Sequence, residues 1–186
     1  MYDIAIIGAG PTGASAALFA AKSGKKTLMF DSNQSITKKA WLENHYGVLE
    51  ISGPDLVEIG KKQAEKFGTT IVEAAVKNIV PTETGFVIST EDNQYESQHV
   101  IIATGIFTEL AEVIGLDTKP GTEPRIKTIV AVDNTGKTSI PGIWAAGTIA
   151  GASVHTIITA GDGAKVAINI ISELNGERYV DHDMKK

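Results

Sequence analysis

A glycine cluster near the N-terminus constrains the fold more than any other feature of this sequence. Residues 8–13 read GAGPTG and match G-x-G-x-x-G. A β-branched run, Tyr2–Ile7, precedes the cluster, and a segment of small helix formers follows it. In such a turn the glycines allow a tight bend, a close backbone approach to a pyrophosphate, and close packing of the helix on the strand. The pattern therefore predicts a strand, a dinucleotide-binding turn and a helix.

An acidic residue stands where this kind of turn needs one. The next apolar run, residues 26–31, ends in Asp31, about 20 residues beyond the glycines, where a carboxylate can accept hydrogen bonds from an adenosine ribose. A right-handed crossover makes the two strands parallel. A glycine-rich turn that only packs is the alternative, and the agreement of strand, helix and acid favours binding. This unit serves NAD, NADP and FAD alike, so these residues leave the dinucleotide open.

The rest of the chain predicts an α/β domain with a small antiparallel meander. A helix is expected to begin after Ser52, with Asp55 three residues on, and to continue to Gly68. Residues 69–103 alternate extended runs with turn signals, which predicts a meander that returns to the parallel sheet at 100–103. Further expected elements are a strand within 125–132, a strand over 143–146, a helix over about 156–174 and a polar tail from 176 that docks in part.

Composition narrows the class of protein. The length of 186 residues is expected to form one domain, 1–186. With no cysteine, the chain supplies no disulfide, CxxC motif or thiolate, so redox chemistry would need a cofactor, and a cytoplasmic location is expected. A net charge of −5 argues against a nucleic-acid partner. No His, Asp or Glu grouping has metal-ligand spacing.

One uncharged stretch resembles a membrane span only in length. Residues 4–21 run for eighteen residues without a charge. Gly8, Gly10, Pro11 and Gly13 would interrupt a helix at its centre. The stretch is better explained as strand, turn and helix, and no membrane association is expected.

Several segments together resemble a known family. Residues 8–31 are similar to the start of the FAD domain of thioredoxin reductase-like flavoproteins. Residues 42–47 (LENHYG) resemble the family's Glu-Asn-x-Pro-Gly segment, 99–105 (HVIIATG) its second FAD motif, and 138–147 (TSIPGIWAAG) its third. Alone, apolar strands that end in glycine are common core elements; in this order they imply a Rossmann-like FAD-binding domain with FAD as cofactor.

The sequence also departs from that family. The family inserts an NADPH domain after its second motif, but residues 106–141 are only 36 residues, and one βαβ unit alone needs about 30. Residues 112–116 (EVIGL) resemble the strand that returns after the insertion. Thr148 stands where the family has an Asp that holds a ribityl hydroxyl, and residues 36–41 (ITKKAW) replace its Gly-Gly-Gln.

The candidate cofactor-binding residues come from the motif and the resemblance together. Ser153 is expected to cap the last helix, where His155 could donate a proton or simply pack. Val76 is expected in a strand whose backbone meets the adenine, and Trp41 and Trp144 are expected to pack as anchors. No catalytic residue is assigned. The candidates are Gly8, Gly10, Pro11, Thr12, Gly13, Asp31, Ser32, Asn44, Val76, Ala103, Thr104, Gly105, Gly147, Thr148, Val154, His155 and Thr156.

Three functions remain open at this point. The first is an FAD-dependent oxidoreductase whose flavin is reduced by diffusing NADH or NADPH or by a partner redox protein. The second is a non-catalytic flavin- or dinucleotide-binding module that acts through a partner. The third is a domain that keeps the fold and binds no nucleotide. The resemblance also implies a homodimer.

Overall fold

The computed structural model describes residues 1–181 of the 186-residue chain. Two short 3₁₀ turns, Ile36–Lys39 and Gly147–Ala150, accompany the regular elements. The helices and strands in chain order are β1 (Tyr2–Ile7), α1 (Pro11–Lys22), β2 (Thr27–Phe30), β3 (Trp41–Leu42), β4 (Ile51–Ser52), α2 (Gly53–Lys66), β5 (Thr70–Val72), β6 (Asn78–Pro81), β7 (Phe86–Ser89), β8 (Gln94–Ile102), α3 (Glu109–Val113), β9 (Thr118–Pro120), β10 (Thr128–Val130), β11 (Ile143–Ala145) and α4 (Thr156–Asn175).

One seven-stranded sheet carries both the parallel strands and the meander. Its order is β5-β2-β1-β8-β7-β6, and β11 also pairs with β8. Strands β5, β2, β1, β8 and β11 pair in parallel with one another. Strand β7 pairs antiparallel with the first half of β8, and β6 pairs antiparallel with β7. The predicted α/β class with a parallel sheet and a small antiparallel meander is confirmed.

One strand lies elsewhere than expected. Thr70–Val72 was expected at the start of the meander, but it pairs in parallel with β2 at the edge of the main sheet. The meander begins only at β6. A short β-branched run favours a strand without specifying the direction of its partner, which explains the error.

The register of the parallel strands brings the sequence motifs to one edge. Ile7 pairs with Phe30 on one side and with Ile102 on the other, and Ile102 pairs with Ala145. The residues that follow these strand ends therefore share that edge, which is where ligands bind in open α/β sheets.

Two apolar layers hold the sheet between them. Ile4 and Ile6 belong to the cluster under α1 and α4, whereas Ala5 and Ile7 belong to the cluster on the opposite face. All four side chains are buried. This alternation follows from the two-residue period of a strand covered on both faces.

Helices α1 and α4 pack closely because glycine and alanine line their contact. A Cβ atom at Gly163 would lie 2.1 Å from the Thr12 carbonyl oxygen. Ala16, Ala17 and Ala20 are fully buried on the same face of α1. The small side chains hold the start of α1 against α4, beside the edge where the motifs converge.

The segment between the second and third motifs is short and folds locally. Residues 112–116 were expected to form a strand, but Glu109–Val113 is a helix that ends in a turn at Gly115. Strands β9 and β10 then pair as a small antiparallel hairpin, the second of them within the predicted 125–132 run. The stretch ELAEV contains good helix formers, and these outweigh the likeness to a returning strand.

The two tryptophans differ in burial. Trp144 is 2% exposed and packs in the core, as expected, whereas Trp41 is 62% exposed and does not act as an anchor. The polar tail docks in part, since Asp181 forms an ion pair with Lys22 at 2.8 Å. The remainder of the predicted tail, 182–186, lies outside the described residues. Among residues 1–181, no helix combines the length and apolar character needed to cross a bilayer.

Candidate dinucleotide-binding site

A cavity of about 460 Å³ lies at the edge where the parallel strands end. Its volume is within the range of about 300–1,000 Å³ that is usual for small-molecule sites. Gly13 and Gly147 do not line it, but they lie against Gly8 and Thr12, which do. The other sequence candidates all line it: Gly8, Gly10, Pro11, Thr12, Asp31, Ser32, Asn44, Val76, Ala103, Thr104, Gly105, Thr148, Val154, His155 and Thr156.

The glycine turn has the geometry that a pyrophosphate site needs. Gly8 has a φ of +114°, and a Cβ atom there would lie 2.4 Å from the Ala103 carbonyl oxygen. A Cβ atom at Gly13 would lie 1.8 Å from the Gly8 carbonyl oxygen, so only glycine lets α1 start this close to β1. Gly10 lines the cavity itself and leaves its backbone accessible to a ligand. Each glycine thus has the physical role that the motif assigns to it.

The start of α1 faces the cavity without a side-chain cap. Gly10 is the N-cap residue and Pro11 the first helical residue, and the cap makes no side-chain hydrogen bond. The first-turn N–H groups of a helix have no partner within the helix, and the helix dipole places partial positive charge there. This end of α1 can therefore bind an anionic phosphate group.

Asp31, the residue expected to meet the adenosine ribose, lines the cavity directly after β2, with Ser32 beside it. Its Oδ1 accepts a hydrogen bond from the Asn33 N–H at 2.8 Å, and its Oδ2 lies 2.9 Å from Lys61 Nζ. Burial alone would raise the pKa of the Asp31 carboxyl, but the bonds from Lys61 and Asn33 and the charges of Lys61 and Lys38 hold it below its ordinary value. A charged carboxylate is the stronger acceptor for ribose hydroxyl groups.

Thr148 also lines the cavity, directly after the third motif. Thr148 is 7% exposed, and its hydroxyl forms no hydrogen bond with another described residue. Gly147 before it has a φ of +77°, and its N–H donates to Asp162 Oδ2 of α4 at 2.7 Å. The backbone is thereby fixed, and the threonine hydroxyl remains available to a ligand in place of the family's carboxylate.

The N-terminus of α4 also contributes to the cavity lining. His155 is the N-cap residue and makes no capping bond with its side chain. Ser153 was expected to cap the helix, but its Oγ lies 2.9 Å from His155 Nδ1 instead. His45 Nδ1 lies 2.9 Å from Thr156 Oγ1, which ties the 43–47 loop to the helix start. The uncapped N–H groups of α4 can therefore face a ligand that carries negative charge.

Two further predictions need correction or completion. Val76 lines the cavity, but it lies in the connection between β5 and β6 and not in a strand. Asn44 lines the cavity as well, while its neighbour Tyr46 is 91% exposed to solvent. The 43–47 loop thus offers one of its polar side chains to the site.

Sequence reasoning missed several residues of the lining. Thr159 lies one helical turn after Thr156, a spacing that would have found it. Thr37 comes from the segment that replaces the family's Gly-Gly-Gln, and Ser35 directly precedes that segment, so no motif pointed to them. Lys61 belongs to α2, and nothing in the sequence links it to Asp31. Within residues 1–181, no group of three or more His, Asp or Glu side chains could hold a metal ion.

Residues 2–129 match the model of the family described as "Pyridine nucleotide-disulphide oxidoreductase". The chain belongs to this family. Among curated relatives, the thioredoxin reductase of Helicobacter pylori (strain J99 / ATCC 700824) is 38% identical over 111 residues, which cover 56% of this chain and 36% of the relative. The enzyme of Peptoclostridium acidaminophilum is 36% identical over 115 residues, covering 60% and 36%. The chain thus spans about a third of the length of these relatives.

Solved structures share the fold at low sequence identity. A thioredoxin reductase from Gloeobacter violaceus superposes with a TM-score of 0.86 at 18% identity, covering 99% of both chains. The atypical thioredoxin reductase TRi from Desulfovibrio vulgaris Hildenborough superposes with a TM-score of 0.84 at 19% identity, covering 95% of this chain and 99% of the other. This protein has the FAD domain of the thioredoxin reductase-like flavoproteins, without their redox cysteine pair.

The family and the fold indicate FAD as the dinucleotide, and the residues present fit it. The uncapped start of α1 suits the pyrophosphate, and the buried Asp31 carboxylate suits the adenosine ribose. Thr148 and the start of α4 suit the ribityl chain and the ring end. One cavity therefore brings together groups suited to the ribose, the pyrophosphate and the ribityl chain of FAD.

Proposed function

We propose that this protein is an FAD-dependent oxidoreductase whose flavin is reduced by a diffusing nicotinamide nucleotide or by a partner redox protein. FAD, when bound, supplies hydride and electron transfer. The observation that carries the proposal is the single cavity in which the α1 N-terminus, Asp31 and the α4 N-terminus are all brought together. The chain's own residues bind and orient the cofactor.

The wall beside the second motif supports access by a diffusing molecule. Ile106 and Phe107 line the cavity and are 43% and 37% exposed. They lie in the segment where the family inserts its nicotinamide domain, and here that segment forms only α3 and a small hairpin. An open apolar rim at this place allows a planar ring to approach the cavity.

Dithiol chemistry is not part of the proposal. The chain contains no cysteine, so both thiols of any dithiol–disulfide couple would have to belong to another molecule. The reaction we propose therefore passes electrons from a nicotinamide or a protein donor to an acceptor other than an internal disulfide.

A non-catalytic flavin-binding module that acts through a partner is the second candidate. Thr148 favours it, because an uncharged hydroxyl holds the ribityl chain by fewer hydrogen bonds than a carboxylate.

Anaerobic reduction of the flavin-loaded protein separates the two candidates. NADH or NADPH, or a flavodoxin- or ferredoxin-type donor, is added, and the flavin absorbance is followed. Bleaching that reverses with an electron acceptor supports the oxidoreductase. Yellow protein that none of these donors bleaches supports the binding module and contradicts the proposal.

We further propose that the protein forms a homodimer in the cytoplasm. Both proposals rest on its likeness to thioredoxin reductases and on the lack of cysteine.

A further inference from the structure

A lysine of helix α2 lies beside the Asp31 carboxylate, which lines the cavity. Lys61 Nζ lies 2.9 Å from Asp31 Oδ2, and the two side chains are 16% and 6% exposed. Asp31 lines the cavity, whereas Lys61 reaches the carboxylate from α2. A helix outside the strand-turn-helix motif therefore controls the surroundings of the residue expected to hold the ribose.

Close packing of α2 on α1 makes this contact possible. A Cβ atom at Gly60 would lie 3.0 Å from the Ala14 Cβ, so the missing side chain lets the two helices approach. The start of α2 is fixed by the Ser52 hydroxyl, which accepts a hydrogen bond from the Asp55 N–H at 3.2 Å. Lys61 follows Gly60 directly in the sequence, beside this contact.

The two partners of Asp31 fix both the charge and the orientation of its carboxylate. Oδ1 accepts from the Asn33 N–H and Oδ2 from Lys61. A carboxylate has about four acceptor positions, so each oxygen keeps one for a ribose hydroxyl. A buried carboxylate that lost its cation would gain a proton or turn away, since an unpaired buried charge is strongly disfavoured.

We propose that Lys61 is a positioning residue for the cofactor, which keeps Asp31 charged and oriented to accept the ribose hydroxyl groups of FAD. The inference rests on the proposed binding of FAD. Lys61 acts through Asp31 and does not touch the cofactor. A purely structural ion pair would instead tie α2 to the end of β2 and leave cofactor affinity unchanged in the folded protein.

A double-mutant cycle on FAD affinity tests this role. FAD is titrated into apo-protein, and the dissociation constant is read from the quenching of flavin fluorescence. We expect Lys61→Met and Asp31→Asn each to weaken binding by about tenfold to a hundredfold. The double variant is expected to bind no more weakly than Asp31→Asn alone, because Lys61 has nothing left to orient. Lys61→Arg, which keeps the charge, is expected to retain most of the affinity.

Lys62→Met is the matched control. Lys62 is adjacent on α2, its side chain is 68% exposed, and it pairs with Glu58 at 3.5 Å, so its loss should leave FAD affinity unchanged. Far-UV circular dichroism confirms that each variant folds. If Lys61→Met does not fold, Lys61→Gln takes its place in the cycle, because its amide can still donate a hydrogen bond to Asp31 but carries no charge.

The outcomes distinguish this inference from the function it rests on. Wild-type affinity in folded Lys61→Met, or a further loss in the double variant, would overturn the role of Lys61 and leave FAD binding intact. Wild-type protein that takes up no FAD would overturn the proposed function, and this inference with it.

Discussion

Gly10 is the residue whose side chain must be absent for the pyrophosphate to approach. Its φ is −72°, which valine can adopt, so Gly10→Val should fold. The added side chain would point toward Ser35 and occupy part of the cavity, since even a Cβ atom would lie 3.1 Å from Ser35 Oγ. We expect the variant to lose flavin, measured by the absorbance released on denaturation. A folded variant with wild-type flavin content would contradict the proposed turn.

His99 provides a pH prediction away from the site. Burial lowers the pKa of its imidazole, and its Nδ1 accepts from Trp144 Nε1 at 3.4 Å, which requires the neutral ring. The unfolded chain takes up a proton below about pH 6.5, so stability should fall as pH drops from there toward the folded-state pKa, by at most about 1.4 kcal/mol per unit.

Urea unfolding between pH 7 and 5 measures this effect. His99→Gln keeps an acceptor for Trp144 but does not titrate, so the free energy of unfolding should depend less on pH than in the wild type. Equal slopes for the two proteins would show that His99 carries no such linkage.

At the scale of elements, the contact between α1 and α4 decides whether the cavity keeps its shape. Two glycines of α4 make a matched pair, since Gly161 faces open space whereas a Cβ at Gly163 would meet the Thr12 backbone at 2.1 Å. Alanine at either position gains about 0.5–1 kcal/mol of helix propensity. We expect Gly161→Ala to stabilise the protein by about that amount.

Gly163→Ala should instead destabilise the protein by about 1–3 kcal/mol, because α4 must move away from α1. Since Thr12 lines the cavity, flavin affinity should fall as well. Thermal unfolding of the two variants beside the wild type gives the comparison. Equal stability of both alanine variants would show that the close helix contact is not required.

Elements with a strong local pattern could be predicted from the sequence, and those whose identity depends on a partner could not. The strand, turn and helix of residues 2–22 and the helix α4 follow from periodicity and glycine placement. Strand β5 was placed in the wrong part of the sheet because its direction depends on β2. A serine hydroxyl can bond either to a helix start or to a neighbouring side chain, so the sequence alone does not distinguish capping by Ser153 from its observed contact with His155.

At the scale of the whole molecule, the site exists because distant segments meet at one sheet edge. The order of the four motifs predicted that convergence and about half of the residues that line the cavity. It could not predict Lys61, whose contact with Asp31 depends on how α2 packs against α1. Helix packing of this kind depends on three-dimensional contacts that no local pattern records.

The homodimer is a prediction at the same scale. Tyr46 and Leu49 are 91% and 95% exposed on the 43–50 connection between β3 and β4, and large exposed apolar side chains that lie close together are typical of an interface. Sedimentation equilibrium should give twice the chain mass of 19.6 kDa. Tyr46→Ser with Leu49→Ser should weaken the dimer if this loop takes part, and a wild-type monomer at micromolar concentration would contradict the prediction.

Flavin content tests the central claim most directly. The purified protein, and the same protein after incubation with excess FAD and gel filtration, are denatured, and the released flavin is identified by chromatography and counted per chain. We expect one FAD per chain in the reconstituted protein. Colourless protein that releases no flavin and takes up none would contradict it.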